Sequence, residues 1–420
     1  MIRRRRATTT GIAALTVLLL SACGSTADTA AGGPGSDSLR TGTGVTDTTI
    51  SLGVMTDRTG PFKNFGTAVT AGNQLWADDV NEAGGICGRR IAFESVDHGY
   101  QADTAKTLYP QLEPTVLGMV QLLGSPITAA LSGNVVDDGM IAAAGSWSSE
   151  ILDNPHLMVV GTTFDLEVVN GLSYFQQQGL IADGDTIGHI YIDGEYGGNG
   201  LRGSRYYAEL RGQQVREVKI TSTDTDLTNV VTGLRSDGVT AIVLSTSPGQ
   251  TVSALAANTA LGLDVPVLGN NPSFDPSILS APAAGALDRL YIAASVAPFA
   301  SATPKAREVA ETFLGDPGGV EPAFGIHYGY AGGMVWGEVL RKACADGDLR
   351  REGVLSALRS LSSVSTDDLV TTLDYSSPGA PPTRGVYIAR VDPGVPGGLQ
   401  EVAQLFTAPD ATTYRTPHQS

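Results

Sequence analysis

The stretch from Ile50 to Asp97, ISLGVMTDRTGPFKNFGTAVTAGNQLWADDVNEAGGICGRRIAFESVD, decides the fold of this chain. It begins with an apolar run at 50–55, passes through a turn-rich loop, and then repeats apolar residues at three- and four-residue steps. That spacing is typical of an amphipathic helix, and Gly84-Gly85 ends it where residues without Cβ can reverse the chain. We therefore expect a strand, a long loop, a helix and a second strand. Loops at the carboxyl ends of parallel strands are where open α/β sheets bind ligands.

The same alternation continues along the chain. Repeated strand–helix alternation predicts an α/β protein with doubly wound parallel sheets that helices cover on both faces. Strand-like runs lie at 50–55, 91–97, 116–123, 140–144, 187–193, 215–220, 241–245, 265–269, 290–296, 369–375 and 386–391, and helical stretches at 102–113, 128–136, 166–181, 201–211, 227–235, 252–261, 323–345 and 351–361.

The amino terminus has the pattern of an export signal. Arginines at 3–6 precede an apolar run at 11–20, which is shorter than the roughly 20 residues needed to span a bilayer. Leu20-Ser21-Ala22-Cys23 resembles a bacterial lipobox, the alternative being an ordinary secretory signal. We expect a signal peptide at 1–22, a lipidated Cys23, and a Gly/Ser/Thr-rich flexible tether at 23–45. This places the protein on the extracytoplasmic face of a bacterial cell membrane, held by a lipid anchor.

Composition and motifs exclude several function classes. The chain has 27 basic and 43 acidic residues, a net charge of −16, which argues against nucleic acid as a partner. Its five histidines lack metal-ligand spacing, so no metal, cofactor or catalytic site is expected. The glycines at 198–203 fit G-x-G-x-x-G, but the preceding strand ends too early, at Asp193, for a dinucleotide fingerprint. We interpret them as a glycine-rich loop before a helix.

Three motifs resemble the leucine/isoleucine/valine-binding family, solute receptors of ABC importers with the type I periplasmic binding fold. They are the T-G-P…F-G loop at 59–66, the N-E-A-G-G-I-C-G-R turn at 81–89, and a D-x-x-Y-G loop at 193–197. The resemblance implies a monomer that binds a small solute and meets a transporter permease, with two lobes and a three-crossing hinge. By that layout lobe 1 covers 46–164 and 292–368, lobe 2 covers 165–291 and 369–407, and 408–420 is a tail.

The resemblance also assigns ligand-binding residues in lobe 1. Ser125 and Ser146 lie in the two loops that hold a ligand carboxylate in the family, although Ser125 is also a plausible helix N-cap. Phe65 falls where the family places a ring against the ligand, and an interior ring is the alternative. Trp147 departs from the family pattern and either walls the pocket or packs against the hinge. From lobe 2, Tyr196 is expected to close over the ligand and to face Phe65.

Two further positions bear on the solute class. Amino-acid-binding members place an acidic side chain where this chain has Asn271, and a ring is often found near the small, polar segment that includes Ser247. An ammonium buried without a counter-charge is costly, so we expect a solute without a free α-ammonium, such as an amide, a carboxylic acid or a polyol. Asp275 or Asp57 could supply the missing charge.

Cys87 and Cys344 are the only cysteines besides Cys23. In an oxidising compartment such a pair usually bonds, and the family layout puts both in the first lobe, so we expect a disulfide. Two separately buried thiols are the alternative. The function expected is capture of a small polar solute (amino acid, amide or organic acid) for an ABC importer. A ligand-sensing receptor of a signalling system and an extracellular hydrolase are the rivals.

Overall fold

The computed structural model describes residues 39–280 and 284–419. The expected lipidation site, Cys23, and the signal peptide lie outside the described residues. The chain forms two α/β lobes, each built on its own central sheet, and it passes between them more than once. No helix in the described ranges is long and apolar enough to cross a membrane.

The first lobe contains a five-stranded sheet in which every neighbouring pair is parallel, with the spatial order β3-β2-β4-β5-β6. The interior strand β2 is buried on both faces from its second half onwards, as expected for a parallel strand between helix layers. The strands are β2 (Thr49–Thr56), β3 (Arg90–Asp97), β4 (Gly118–Leu123), β5 (Ala142–Gly145) and β6 (Leu157–Val159), and the helices are α1 (Lys63–Glu82), α2 (Ala102–Leu112), α3 (Ser125–Asp137), α8 (Pro304–Gly315), α9 (Phe324–Ala345) and α10 (Arg351–Ser360).

The second lobe contains a seven-stranded sheet with the order β14-β13-β11-β10-β9-β7-β8. Five strands are parallel, but β13 pairs antiparallel with β11 and β14 pairs antiparallel with β13, so one edge of this sheet is not parallel. The strands are β7 (Thr186–Ile192), β8 (Gln214–Ile220), β9 (Ala241–Ser245), β10 (Val267–Asn270), β11 (Leu290–Ala294), β13 (Val386–Val391) and β14 (Leu399–Phe406), and the helices are α4 (Phe164–Gln177), α5 (Glu195–Arg211), α6 (Thr228–Ser236), α7 (Pro248–Ala260) and α11 (Pro409–Thr413).

Helices α1 and α9 pack closely because, where they cross, a glycine of each helix lies against the backbone of the other. A Cβ on Gly72 would lie 2.0 Å from the Ile326 carbonyl oxygen, and one on Gly329 would lie 2.0 Å from that of Val69. At the far end of the same helix pair, Cys87 and Cys344 form the expected disulfide, with a Cα–Cα distance of 6.3 Å. The bridge joins the turn after α1 to α9.

One predicted strand is wrong. The run at 369–375 is not a strand: within it only single bridges form, from Val370 to Val296 and from Leu373 to Val364. Its apolar side chains are buried, although no strand forms there. An apolar run predicts that side chains are buried, and does not by itself predict that the backbone pairs in a sheet. The expected layout puts a hinge crossing near residue 292, and β11, which belongs to the second sheet, ends at Ala294.

The segments expected to be a tether and a tail are partly folded. Arg40 and Thr41, inside the predicted tether, form β1 (Arg40–Thr41) and pair with β12 (Asp348–Leu349), and Arg40 also makes a 2.9 Å ion pair with Asp348. Residues 408–419 form α11 and a following segment that packs on the rest of the protein. Backbone pairing and buried side-chain contacts order both segments, which composition alone did not indicate.

Candidate functional site

A small apolar cavity lies where the carboxyl ends of the two sheets meet. Its volume is about 20 Å³, close to that of a single water molecule. The wall comes from the loops after β2, β3, β4 and β5 and from the starts of α1, α3, α4 and α5, with one proline after β10. The lining residues are Phe62, Phe65, Tyr100, Leu123, Gly124, Ser125, Gly145, Trp147, Phe164, Tyr196 and Pro272.

Six aromatic rings form most of this wall and touch one another. From lobe 1, Phe62 lies 4.7 Å from Tyr100, centroid to centroid. Phe164, at the start of α4, lies 4.8 Å from Tyr196 and 5.8 Å from Trp147, so it joins the rings of both lobes. Such tilted and edge-on pairs are favourable contacts, and they make the cavity apolar.

Phe65 and Trp147 occupy the lobe 1 side of the wall, as the sequence predicts. The two rings are 6.1 Å apart, and Trp147 packs 4.5 Å from Tyr328 of α9. The Trp147 indole nitrogen donates a 3.0 Å hydrogen bond to the carbonyl oxygen of Val160, in the connection between β6 and α4. Trp147 therefore both walls the cavity and contacts the hinge, the two alternatives left open by the sequence.

Tyr196 closes the cavity from lobe 2, but its ring neighbour across the cleft is not the expected one. Phe62 lies 6.4 Å from Tyr196 at nearly a right angle, whereas Phe65 sits further along the same wall. The Tyr196 hydroxyl donates to Asn270 Oδ1 at 3.1 Å and to the carbonyl oxygen of Thr246 at 3.3 Å, which fixes the ring from within its own lobe. Burial, with the charge of Glu167 adding to it, raises the tyrosine pKa well above its usual value.

Ser125 lines one end of the cavity and contacts the other predicted serine, Ser146. Ser125 Oγ and Ser146 Oγ are 2.9 Å apart, and both side chains are buried. Ser125 opens α3 directly after Gly124, which has a φ of 105° that favours glycine. A helix start carries partial positive charge, so this end of the cavity suits an anion or a carbonyl oxygen.

Ser247 and Asn271 lie outside the cavity wall. The Ser247 backbone nitrogen and hydroxyl each donate 3.0 Å hydrogen bonds to Gln250 Oε1, so the residue caps α7. The Asn271 backbone nitrogen donates to Glu167, and the next residue, Pro272, presents the surface that faces the cavity. Their positions in sequence match the family loops. Capping of α7 accounts for the polar groups of Ser247, whereas the side-chain oxygen of Asn271 is buried with no hydrogen-bond partner among the described residues.

Neither acid considered as a partner for an ammonium faces the cavity. Asp57 accepts backbone hydrogen bonds from Gly60 at 2.5 Å and Phe62 at 2.9 Å, and so folds the long first loop that presents the Phe62 ring. Asp275 accepts a 3.1 Å hydrogen bond from Asn64 across the mouth of the cleft. Among the described residues, those that line the cavity carry no charged side chain.

Two buried carboxylates at the start of α4 organise the hinge. Glu167 accepts backbone hydrogen bonds from Asn271 at 3.0 Å and from Ser295 at 3.1 Å, just after β10 and β11. Asp165 accepts from Ser149 of lobe 1 at 2.5 Å and from Tyr414 at 2.8 Å. Burial raises the pKa of both acids, while their hydrogen bonds oppose that shift.

Glu195 stands at the rim of the cleft with an unpartnered oxygen. It is the first residue of α5, and its Oε2 atom has no hydrogen-bond partner within the described structure. Burial raises its pKa to about 7, the charge of Glu150 acts in the same direction, and a hydrogen bond with Ser148 opposes them. Glu150 and Ser148 belong to lobe 1, so the position of that lobe affects the pKa of Glu195.

Sequence reasoning missed three wall rings and the hinge acids. Phe62 directly follows the T-G-P motif, so its place in the loop could have been found from the motif. Tyr100 adopts a φ of 60° after β3, and nothing in its sequence context marks it. Phe164, Asp165 and Glu167 open an ordinary amphipathic helix, and only the fold shows that this end of α4 lies between the lobes.

Comparison with known proteins defines the class. Residues 49–398 match the family described as Periplasmic binding protein. The structure of a fatty acid ABC transporter substrate-binding protein from Thermomonospora curvata superposes with a TM-score of 0.88 at 36% identity, covering 91% of this chain and 98% of that one. No curated protein matches the chain significantly.

More distant structures share the fold. A branched chain amino acid ABC transporter from Thermus thermophilus with bound valine has a TM-score of 0.74 at 18% identity, over 87% of this chain and 98% of that one. A leucine binding protein from Thermotoga maritima also has a TM-score of 0.74 at 18% identity, over 86% and 99%. At this identity the likeness concerns the fold alone.

The two sheets, their shared cleft and the family match define a two-lobed solute receptor. The chain belongs to the type I periplasmic binding protein family. It is an extracytoplasmic substrate-binding protein that binds a small ligand for an ABC transporter, and its family is not enzymatic.

Proposed function

We propose that the protein captures an amphipathic carboxylic acid of the fatty acid class and delivers it to an ABC importer. The observation that carries this proposal is the cleft cavity, whose wall is six aromatic rings with Ser125 at one end, its hydroxyl paired with that of Ser146. Burial of apolar ligand surface against rings is favourable at roughly 25 cal/mol per Å². The ligand named for the Thermomonospora curvata relative, a fatty acid, supports the same class.

In this proposal the carboxylate binds at Ser125 and Ser146, and the hydrocarbon body lies among Phe65, Trp147 and Tyr196. Because no charged side chain of the described residues lines the cavity, an α-ammonium would be buried without a counter-charge, at a large cost. The cavity admits no such molecule with the rings in contact, so binding requires the lobes or the rings to move apart. Closure over the solute then presents the closed form to the permease.

The test is a calorimetric titration with saturated fatty acids of graded chain length. Leucine and valine, which are named for other structures of this fold, are tested as competing ligands. We expect fatty acids to bind and the amino acids not to bind. The fatty alcohol of matched chain length is the control for the head group, and it should bind at least tenfold more weakly than the acid, since hydrogen bonds to a charged group contribute about 1.5–3 kcal/mol. Tight leucine or valine binding would refute the proposal.

The hydroxyl pair provides a matched mutational test. Ser125→Ala with Ser146→Ala should bring acid affinity close to that of the alcohol and leave alcohol binding unchanged. Ser247→Ala is the control, because that serine caps α7 outside the cavity. If the double variant binds the acid as well as the unaltered protein does, the carboxylate lies elsewhere.

We also propose, from the sequence, that Cys23 carries the lipid and that a short tether from Cys23 leads to the folded part, which acts as a monomer. Because β1 begins at Arg40, the tether in this proposal is shorter than the sequence predicted. Cys23→Ser should release the protein from the membrane fraction, and wholly membrane-bound Cys23→Ser protein would contradict the lipid anchor.

A further inference from the structure

The last residues of the chain run from one lobe to the other. Residues 408–419, here called the C-terminal strap, begin on lobe 2. The Ala408 backbone nitrogen donates a 2.8 Å hydrogen bond to Asn170 Oδ1 of α4, and the Tyr414 hydroxyl donates a 2.8 Å hydrogen bond to the buried Asp165 carboxylate. The first part of the strap is thus attached to the helix that starts lobe 2.

The end of the strap rests on lobe 1. Thr416 Oγ1 donates to the carbonyl oxygen of Gly379 at 2.9 Å, and His418 Nε2 lies 3.1 Å from the carbonyl oxygen of Glu150. Gly379 is itself tied to lobe 1, since its nitrogen donates to Leu152. A Cβ on Gly379 would lie 2.1 Å from the His418 carbonyl oxygen, so the two backbones are in direct contact.

Two carboxylates of lobe 1 lie near the same histidine ring. The two ring nitrogens of His418 lie 3.9 Å from a carboxylate oxygen of Glu150 and 3.9 Å from one of Asp153, both in lobe 1. By contrast, the neighbouring Gln419 accepts a 2.9 Å hydrogen bond from Arg384, which directly precedes β13 of lobe 2. The strap lies beyond residues 49–398, the part that matches the family.

We propose that the C-terminal strap holds the two lobes in the closed arrangement and that its contacts with lobe 1 are the ones released on opening. The attachment to lobe 2 includes a hydrogen bond to a fully buried carboxylate, whereas His418 stands at the surface. Exposed contacts are weaker than buried ones, so opening begins at His418 and then separates the buried Thr416 hydroxyl from Gly379. The proposal rests on the two-lobed hinge alone and is independent of which solute binds.

The test measures the distance between the lobes in ligand-free protein. Spin labels go on Lys63→Cys and Ser277→Cys, exposed positions that flank the mouth of the cleft, in a chain with Cys23→Ser and the Cys87–Cys344 disulfide intact. Thr416→Val with His418→Ala removes the side-chain contacts to lobe 1. Gln419→Ala is the matched control, since its side chain contacts lobe 2 only.

In the double variant we expect a longer mean distance, a larger radius of gyration, and an open-to-closed ratio raised roughly two- to tenfold, as expected for the loss of one or two ordinary hydrogen bonds. The single variants Thr416→Val and His418→Ala should each give part of the effect, and far-ultraviolet circular dichroism should show an unchanged fold. An unchanged distance distribution, or an equal shift in Gln419→Ala, would overturn the proposal. Because no solute is added, failure here leaves the fatty acid proposal untouched.

Discussion

The cleft and the hinge are adjacent in space but are held together by opposite kinds of contact. Across the cleft, rings such as Phe62 and Tyr196 meet through apolar surface. At the hinge, Glu167 and Asp165 accept directional hydrogen bonds from several segments. Ring contacts are non-directional and can be replaced by the apolar surface of a ligand, whereas a buried carboxylate that loses its donors is costly. The cavity walls that must separate are therefore apolar, apart from the Asn64–Asp275 hydrogen bond at the mouth and the strap contacts, whereas the hinge that must stay joined is hydrogen-bonded.

The largest effect is expected at the hinge. Glu167→Ala leaves the backbone nitrogens of Asn271 and Ser295 buried and unpaired, at about 1–3 kcal/mol each. We expect the free energy of unfolding to fall by about 3 kcal/mol or more in urea denaturation. Glu167→Gln is the control; it keeps the shape and one acceptor oxygen, and should lose about half as much. A loss below about 1 kcal/mol in Glu167→Ala would show that the hinge does not depend on this carboxylate.

How much of this could be predicted from the sequence differs between the two regions. Cleft residues follow strands in recognisable loops, so Phe65, Ser125, Trp147 and Tyr196 could be placed from motif and order. The hinge acids lie in α4, where a charged residue in the first turn is ordinarily a solvated helix start. Their burial results from β10 and β11 arriving from a hundred residues later, and no local pattern records that.

Prediction of the fold from the sequence is limited in the same way. Apolar periodicity predicted both lobes and most of their strands, because burial leaves a pattern in sequence. It also suggested a strand at 369–375, where side chains are buried but the backbone forms only isolated bridges. It missed β14, whose residues after the first alternate between exposed and partly buried at the sheet edge. Edge pairing and the strap depend on tertiary contacts that a local window does not contain.

The next effect concerns the cleft rings. Phe65→Ala and Tyr196→Ala should weaken solute binding at least tenfold, since each removes a wall of the cavity. They should lower the free energy of unfolding of ligand-free protein less than a core ring does, because lobe opening already exposes them. Calorimetry and urea denaturation measure the two quantities.

Phe313→Ala is the matched control for the cleft rings. This buried ring of α8 packs 5.8 Å from Phe299 and lies outside the cavity wall. We expect it to lower stability by about 3 kcal/mol, as ring deletions in cores do, and to leave affinity unchanged. If Phe65→Ala and Phe313→Ala changed affinity and stability by the same amounts, Phe65 would be a core residue. The contrast between cleft and hinge would then not hold at Phe65.

The smallest effect is a pH dependence at the rim of the cleft, where Glu195 faces Glu150 and Ser148 of lobe 1 and lies near Tyr100. Burial and the charge of Glu150 raise its pKa from 4.5 to about 7, so between these values the folded, closed protein binds more protons than the unfolded one. Stability from this group is therefore present below pH 4.5 and is lost as the pH rises to about 7.

A rise in pH should likewise favour the open form over the closed form, because opening returns Glu195 to water and moves it away from Glu150. Raising the pH from about 5 to 8 should therefore increase the radius of gyration of ligand-free protein slightly, and Glu195→Gln should remove that increase. Glu94→Gln, an exposed position on β3, is the control and should behave as the unaltered protein. A pH dependence that persists in Glu195→Gln would assign it to other groups. Its loss would mean that charge at the rim, in addition to apolar contact in the cavity, affects how readily the lobes part.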